Sequence, residues 1–210
     1  MTRGGAIPLW LKVAYSGWFA LWVPVYAATV GPVNFLWLCD VGNFVILFAL
    51  WAESRVLFST AAVGVVLIQL FWIVDVAGRL ALGFHPIGGT EYMFDPAEPI
   101  VVRALSLFHL WVPILLLWAV RRLGFDRRAW KVQSLITAMV LPLSFLADPQ
   151  LNLNWLWRPF GVEQTLMPPA AFLMASIVLY PLVVFIPSQL VIGAWARRRR
   201  ATTPAGGSPP

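Results

Sequence analysis

The stretch Gly31-Pro32-Val33-Asn34-Phe35-Leu36-Trp37-Leu38-Cys39-Asp40-Val41-Gly42-Asn43 decides how the chain is read. It holds a carboxylate, two carboxamides and the single cysteine of the sequence, all inside an apolar run. Gly31-Pro32 is turn chemistry, so the segment reads as the outer half of a second span that begins where a first one ends. Polar groups at membrane depth are costly and persist for a partner or a task. The remaining helices are read as the elements that surround this segment and supply those partners.

Composition supports that frame. Of the 210 residues 60% are hydrophobic and only 11% are charged, against about 25% charged in an ordinary soluble domain. Several apolar runs reach the ~20 residues that a helix needs to cross a bilayer. The alternating ~10-residue strands of a membrane β-barrel are missing from the pattern. The fold class is therefore all-α, a polytopic membrane protein with six transmembrane helices in one bundle and no soluble domain. The net charge of +6 does not signal nucleic acid, because the basic residues stand at the ends of spans, where they set orientation. One cysteine leaves no intrachain disulfide, and Trp, at 12 copies, suits a chain with two interfaces.

Working outward from the central stretch, the spans fall at residues 8–30, 33–52, 56–77, 100–120, 129–146 and 168–195. Arg3 and Lys12 ahead of the first run resemble a signal-peptide flank, but its length, Trp18, Trp22 and Pro24 favour an uncleaved anchor. Pro142 is expected to kink the fifth span, and Pro181 and Pro187 to bend the sixth. The loop 78–99 carries too many Gly and Pro to span and too many apolar residues to be free, so it is expected to fold back over the helix ends as a lid. Residues 201–210 read as a disordered tail. With six spans, 12 of the 15 basic residues lie on the side of the two termini. The positive-inside rule then places both termini in the cytoplasm, with the bundle in a bacterial inner membrane.

On that topology the polar residues of the spans collect in the outer half. A rise of ~1.5 Å per residue puts Asp40 about 10 Å, and His109 about 13 Å, below the outer helix ends. Asn34, Asp40 and Asn43 recur at i, i+6 and i+9, and Arg103, Ser106 and His109 at i, i+3 and i+6, so each set shares a helix face. Asp75 and the loop residues Asn152 and Asn154 lie on the same side. The structural explanation is mutual satisfaction: Arg103 pairs with Asp75 or Asp40 and the amides bridge helices. The functional explanation makes Cys39 a nucleophile and His109 its base, since a thiol needs such a neighbour to react. Asp40 or Asp75 is then the supporting carboxylate, and Asn34, Asn43, Asp75, Arg103, Asn152 and Asn154 line the substrate site. Two His and one Cys at these spacings make no zinc site, and no cofactor signature appears. The expected partners are membrane lipids, with other membrane proteins as the second class and no nucleic acid.

The motif Gly31-Pro32-x-Asn34-Phe35-Leu36-Trp37-x-Cys39-Asp40 resembles a family of uncharacterised bacterial six-span proteins known only as membrane-associated proteins. Ala52-Glu53-Ser54, Tyr92-Met93-Phe94-Asp95, Leu105-Ser106-Leu107-Phe108-His109 and Asn152-Leu153-Asn154-Trp155 extend the resemblance over residues 10–195. More distantly the chain is similar to the YwaF-like six-span group and its animal relatives, which include a cysteine-dependent phospholipid acyltransferase and lipid hydrolases. That resemblance implies a nucleophile at Cys39, a base at His109 and acyl-ester transfer or hydrolysis. Gln189 departs from it, since the resemblance implies a histidine there. A non-catalytic accessory or assembly subunit of a larger membrane complex is the alternative function.

Overall fold

The computed structural model describes residues 7–201, with side chains as far as Arg198. Arg3 and the tail at 202–210 lie outside the described residues. All regular structure within them is helical. Helix α1 spans Leu9–Thr29, α2 Leu38–Ala52, α3 Arg55–Leu82, α4 Ile100–Ser106, α5 Phe108–Leu123, α6 Ala129–Phe145, α7 Pro169–Leu179 and α8 Ile186–Ala201. α4 and α5 join into one rod, as do α7 and α8, so six rods run back and forth. Among the described residues three helical stretches are long and apolar enough to cross a membrane: Arg55–Leu82, Ile100–Leu123 and Pro169–Arg198. Leu38–Ala52 and Ala129–Phe145 are apolar but shorter.

α3 is the axis of the bundle, packed against α2, α5, α6 and α8. Two glycines allow its close approaches. A Cβ on Gly42 would lie 2.7 Å from a Val65 methyl, and one on Gly64 would lie 2.4 Å from the Gln133 side chain. Small residues at such crossings let helix backbones come near enough to pack. Around α3, Trp22, Phe58, Phe108, Val112 and Leu116 are fully enclosed, and rings from α1, α2 and α5 meet edge to face or stacked.

The ends of the bundle differ in chemistry. At one end Lys12 pairs with Glu53 at 2.7 Å, and Arg55 and Arg128 both reach Asp126, at 3.2 and 3.1 Å. Arg128 and then Arg55 hold the Asp126 carboxyl down at about 2, against an opposing push from burial. Gln189 donates to the Arg127 carbonyl at this end, which separates it from the polar residues at the other. That other end is covered by the loops at 83–99 and 146–168.

The second and fourth spans depart from their expected form. Residues 33–37 do not continue α2. Pro32–Leu36 is a 3-10 turn, and Trp37 is extended at φ −59, ψ 132. Asn34, Asp40 and Asn43 therefore do not share a helix face. The fourth rod is interrupted at Leu107 (ψ −3), where Leu110 N–H bonds the Leu107 carbonyl. α3 runs on to Leu82 and stops at Gly83, whose φ of 82 is left-handed, as helix C-caps commonly are. α6 continues through Pro142. In the last rod Tyr180–Phe185 forms a wide π turn between α7 and α8. Pro181 and Pro187 lack the N–H that a tighter ladder would use, and such turns are frequent beside functional sites.

Candidate functional site

Asn154 fixes where the site begins. It sits at φ 51, a left-handed conformation that Asn tolerates better than most residues. From there its Oδ1 accepts from Leu38 N–H at 2.9 Å, and its Nδ2 donates to the Leu36 carbonyl at 2.8 Å and Ser144 Oγ at 2.9 Å. The first N–H groups of a helix have no partner within it. A side chain 116 residues away in sequence thus caps α2 and sets Cys39 and Asp40 in its first turn. The Asn154 carbonyl accepts in turn from Tyr180 Oη at 3.1 Å, which ties the π turn to the same loop.

Asp40 is 3% exposed. Its Oδ2 accepts from Asn34 Nδ2 at 3.1 Å, so Asn34 reaches the carboxylate from the 3-10 turn and not from a shared helix face. Its Oδ1 lies 3.9 Å from Cys39 Sγ, a long thiol donation. No ion pair to Asp40 forms among the described residues.

His109 is positioned by the break in the fourth rod. Because Leu110 N–H turns to Leu107, the Ser106 carbonyl is released and accepts from His109 Nδ1 at 2.7 Å. In the neutral ring, a proton on Nδ1 leaves Nε2 as the acceptor. The ring is clamped between Trp72, stacked at 4.6 Å, and Phe108, at 4.0 Å. Ser106 Oγ donates to the Val102 carbonyl at 2.9 Å and is hydrogen-bonded to Tyr26 Oη at 2.5 Å. Trp72 Nε1 donates to Tyr92 Oη at 3.0 Å, and burial pushes the Tyr92 hydroxyl above its ordinary range.

These groups line a cavity of about 540 Å³. Asn34, Cys39, Asp40, His109 and Asn154 are all in its wall, which is otherwise mostly apolar and aromatic. Ile68, Phe71 and Trp72 of α3 and Phe172, Ser176 and Leu179 of α7 are also in its wall. Phe71, Leu179 and Val183 at this side are exposed. Ile87 to Thr90 and Tyr92 also line it, so the loop after α3 does fold back as a lid, although Leu80, Leu82 and Phe84 are exposed.

Four of the residues read as site residues are not in the cavity wall. Asp75 and Arg103 form no ion pair, and neither does Asp40 with Arg103. Fully buried Asp75 instead accepts from Ile87 N–H (2.7 Å), Gly88 N–H (2.8 Å) and Thr90 Oγ1, with His85 Nδ1 at 3.0 Å. It pins the lid. Arg103 Nε is buried without a hydrogen bond. Asn43 faces α1, where Tyr15 Oη donates to its carbonyl and lies 3.2 Å from its Oδ1. Asn152 closes its own loop by accepting from Trp157 and Arg158 N–H. The supporting group for His109 is the Ser106 carbonyl, not Asp40 or Asp75. Sequence reasoning missed Tyr26, Trp72 and Tyr92. Polar tips on aromatic residues near an outer interface were their only signal. Among the described residues no group of three or more His, Cys, Asp or Glu forms a metal site.

Comparison with protein-family models, curated proteins and solved structures yielded no match.

Proposed function

We propose that this chain is a six-span inner-membrane protein that takes an acyl-chain-bearing molecule from the extracytoplasmic leaflet and transfers or hydrolyses its acyl ester. The observation that carries the proposal is the common cavity: Cys39 and His109 line one largely apolar space with exposed apolar residues along its α3–α7 side. A pocket with apolar walls and few convergent polar groups is the usual form of a small-molecule site. The gathering of basic residues at the opposite end supports the orientation.

In the proposed reaction Cys39 is the nucleophile. Its proton passes to His109 Nε2 as the sulfur–acyl bond forms, and the ester C–O bond breaks. The imidazolium returns the proton to the leaving alkoxide. Water or a second alcohol, deprotonated by the same nitrogen, then cleaves the thioester and restores the thiol. Cys39 stands in the first turn of α2 and lines the same cavity as His109. Ser106 keeps Nδ1 protonated, which leaves Nε2 free to act as base.

Turnover of a short-chain phospholipid ester by the purified protein in non-ionic detergent tests this. Wild type is expected to release fatty acid or transfer it to an added lysolipid, and Cys39→Ala to abolish both. Undiminished turnover by Cys39→Ala would remove the reaction. One observation favours the accessory-subunit reading: the hydrogen bond of Cys39 runs to Asp40 and not to His109. On that reading the cavity holds a lipid without changing it.

A further inference from the structure

We infer that the cavity recognises a cationic ammonium headgroup, with the Asp40 carboxylate as its counter-ion and the surrounding aromatic rings as its cage. The inference rests on the reading of the cavity as a lipid site and names the class of molecule it takes.

Charge is the first ground. Asp40 and half-buried Glu98 line the cavity, and no Lys or Arg does. Asp40 is enclosed, yet it receives only one amide bond and one long thiol contact. A buried carboxylate without a cation carries a large desolvation cost. Other buried acids in the molecule are fully engaged: Asp126 has two arginines and Asp75 a histidine, a threonine and two backbone N–H groups. Asp40 is the exception, and it is the one that lines the cavity. Shape and surface are the second ground. Tyr26, Trp72, Tyr92, Phe108, Trp155 and Tyr180 all contribute to the wall. Ring faces attract cations through their quadrupole, and aromatic cages with a nearby carboxylate suit quaternary and primary ammonium groups. The release of Asp40 from any role at His109 removes the competing use of its charge. An anionic headgroup would meet two carboxylates and no donor cation, so the lining also selects against it.

The test is calorimetric titration of the full chain in dodecyl maltoside with two matched pairs of probes. Dihexanoylphosphatidylcholine is compared with dihexanoylphosphatidylglycerol, and choline with its uncharged carbon isostere 3,3-dimethylbutanol. Wild type is expected to prefer the choline lipid over the glycerol lipid by about tenfold or more. Asp40→Asn keeps the shape and the bond to Asn34 and should erase that preference, whereas Cys39→Ala should retain it. Saturable binding of choline but not of the isostere identifies free amines as a source. Binding of the choline lipid alone means that the headgroup arrives on a chain, and both outcomes support the site. Equal affinity for the two lipids in wild type, or an unchanged preference in Asp40→Asn, would overturn the inference. The wild-type comparison decides even where a variant does not fold. Loss of ester turnover with the ammonium preference intact would remove the proposed reaction and leave this inference standing, and the converse result would do the reverse.

Discussion

Replacing Asn154 with Ala should loosen the whole site from a position in the loop between α6 and α7. The side chain makes three hydrogen bonds, two buried, to Leu38 N–H and Ser144 Oγ, and one partly buried, to the Leu36 carbonyl. In water each such bond contributes about 1 kcal/mol net, and interhelical bonds measured in a bilayer average ~0.6 kcal/mol. Three bonds therefore set a scale of about 2–3 kcal/mol, with the membrane figure giving the lower bound. The left-handed backbone at residue 154 adds roughly 1 kcal/mol for Ala. Asn154→Asp keeps an acceptor for Leu38 N–H and loses both donors, so it should fall between wild type and Asn154→Ala. Unfolding in mixed dodecyl maltoside–dodecyl sulfate micelles, followed by tryptophan fluorescence, provides the measurement. A loss under ~0.5 kcal/mol, the size of an ordinary surface change, would refute the claim that Asn154 caps α2 and holds Cys39 in place.

Other outcomes follow from named contacts. The carboxyl of Asp126 titrates near 2 when folded and about 3.9 when unfolded, so its contribution is fully present above pH ~4 and disappears as pH falls toward 2. Subtracting the pH-stability curve of Asp126→Asn from that of wild type should isolate a component confined to that window. A flat difference would count against the pairing. Arg103→Leu should be tolerated or slightly stabilising in the same micelle assay, because Nε already lacks a partner. A loss above ~2 kcal/mol would instead indicate a salt bridge of the buried kind. Asp75→Asn should expose the segment 83–90 to protease in spheroplasts, since four groups of the lid depend on that carboxylate; unchanged protection would separate the lid from Asp75. A reporter fused after Pro210 should score cytoplasmic, and a periplasmic score would reverse the proposed orientation.

Much of the helical layout was legible because apolar run length and turn chemistry are local properties. Ala129–Phe145 falls within a residue of its expected bounds, and Gly31-Pro32 does separate α1 from α2. The extended backbone at Trp37 had no local signal. It is held by Asn154, more than a hundred residues on, and long-range capping is invisible to periodicity. The same reason explains the polar residues. Depth alone grouped nine of them, but depth does not say which way a side chain turns. Asn34 reached the cavity because it left the helix, and Asn43 missed it because it stayed. Asp75 was drawn toward Arg103 by charge, yet Gly88 and its neighbours offered N–H groups closer at hand. His109 and Cys39 line one cavity, but the hydrogen bond that orients His109 comes from a broken helix turn at Leu107, for which the sequence has no Pro or Gly marker.

The most direct test of the central claim is capture of the acyl-enzyme. Membranes containing the full chain are mixed with a phospholipid bearing a activated acyl ester, quenched at low pH, and the intact protein is weighed by mass spectrometry. The account predicts one acyl adduct per chain, mapped to Cys39, released by hydroxylamine and slowed at least tenfold in formation by His109→Ala. An unmodified Cys39 under conditions in which the lipid is demonstrably bound, or an adduct that forms equally fast without His109, would contradict it.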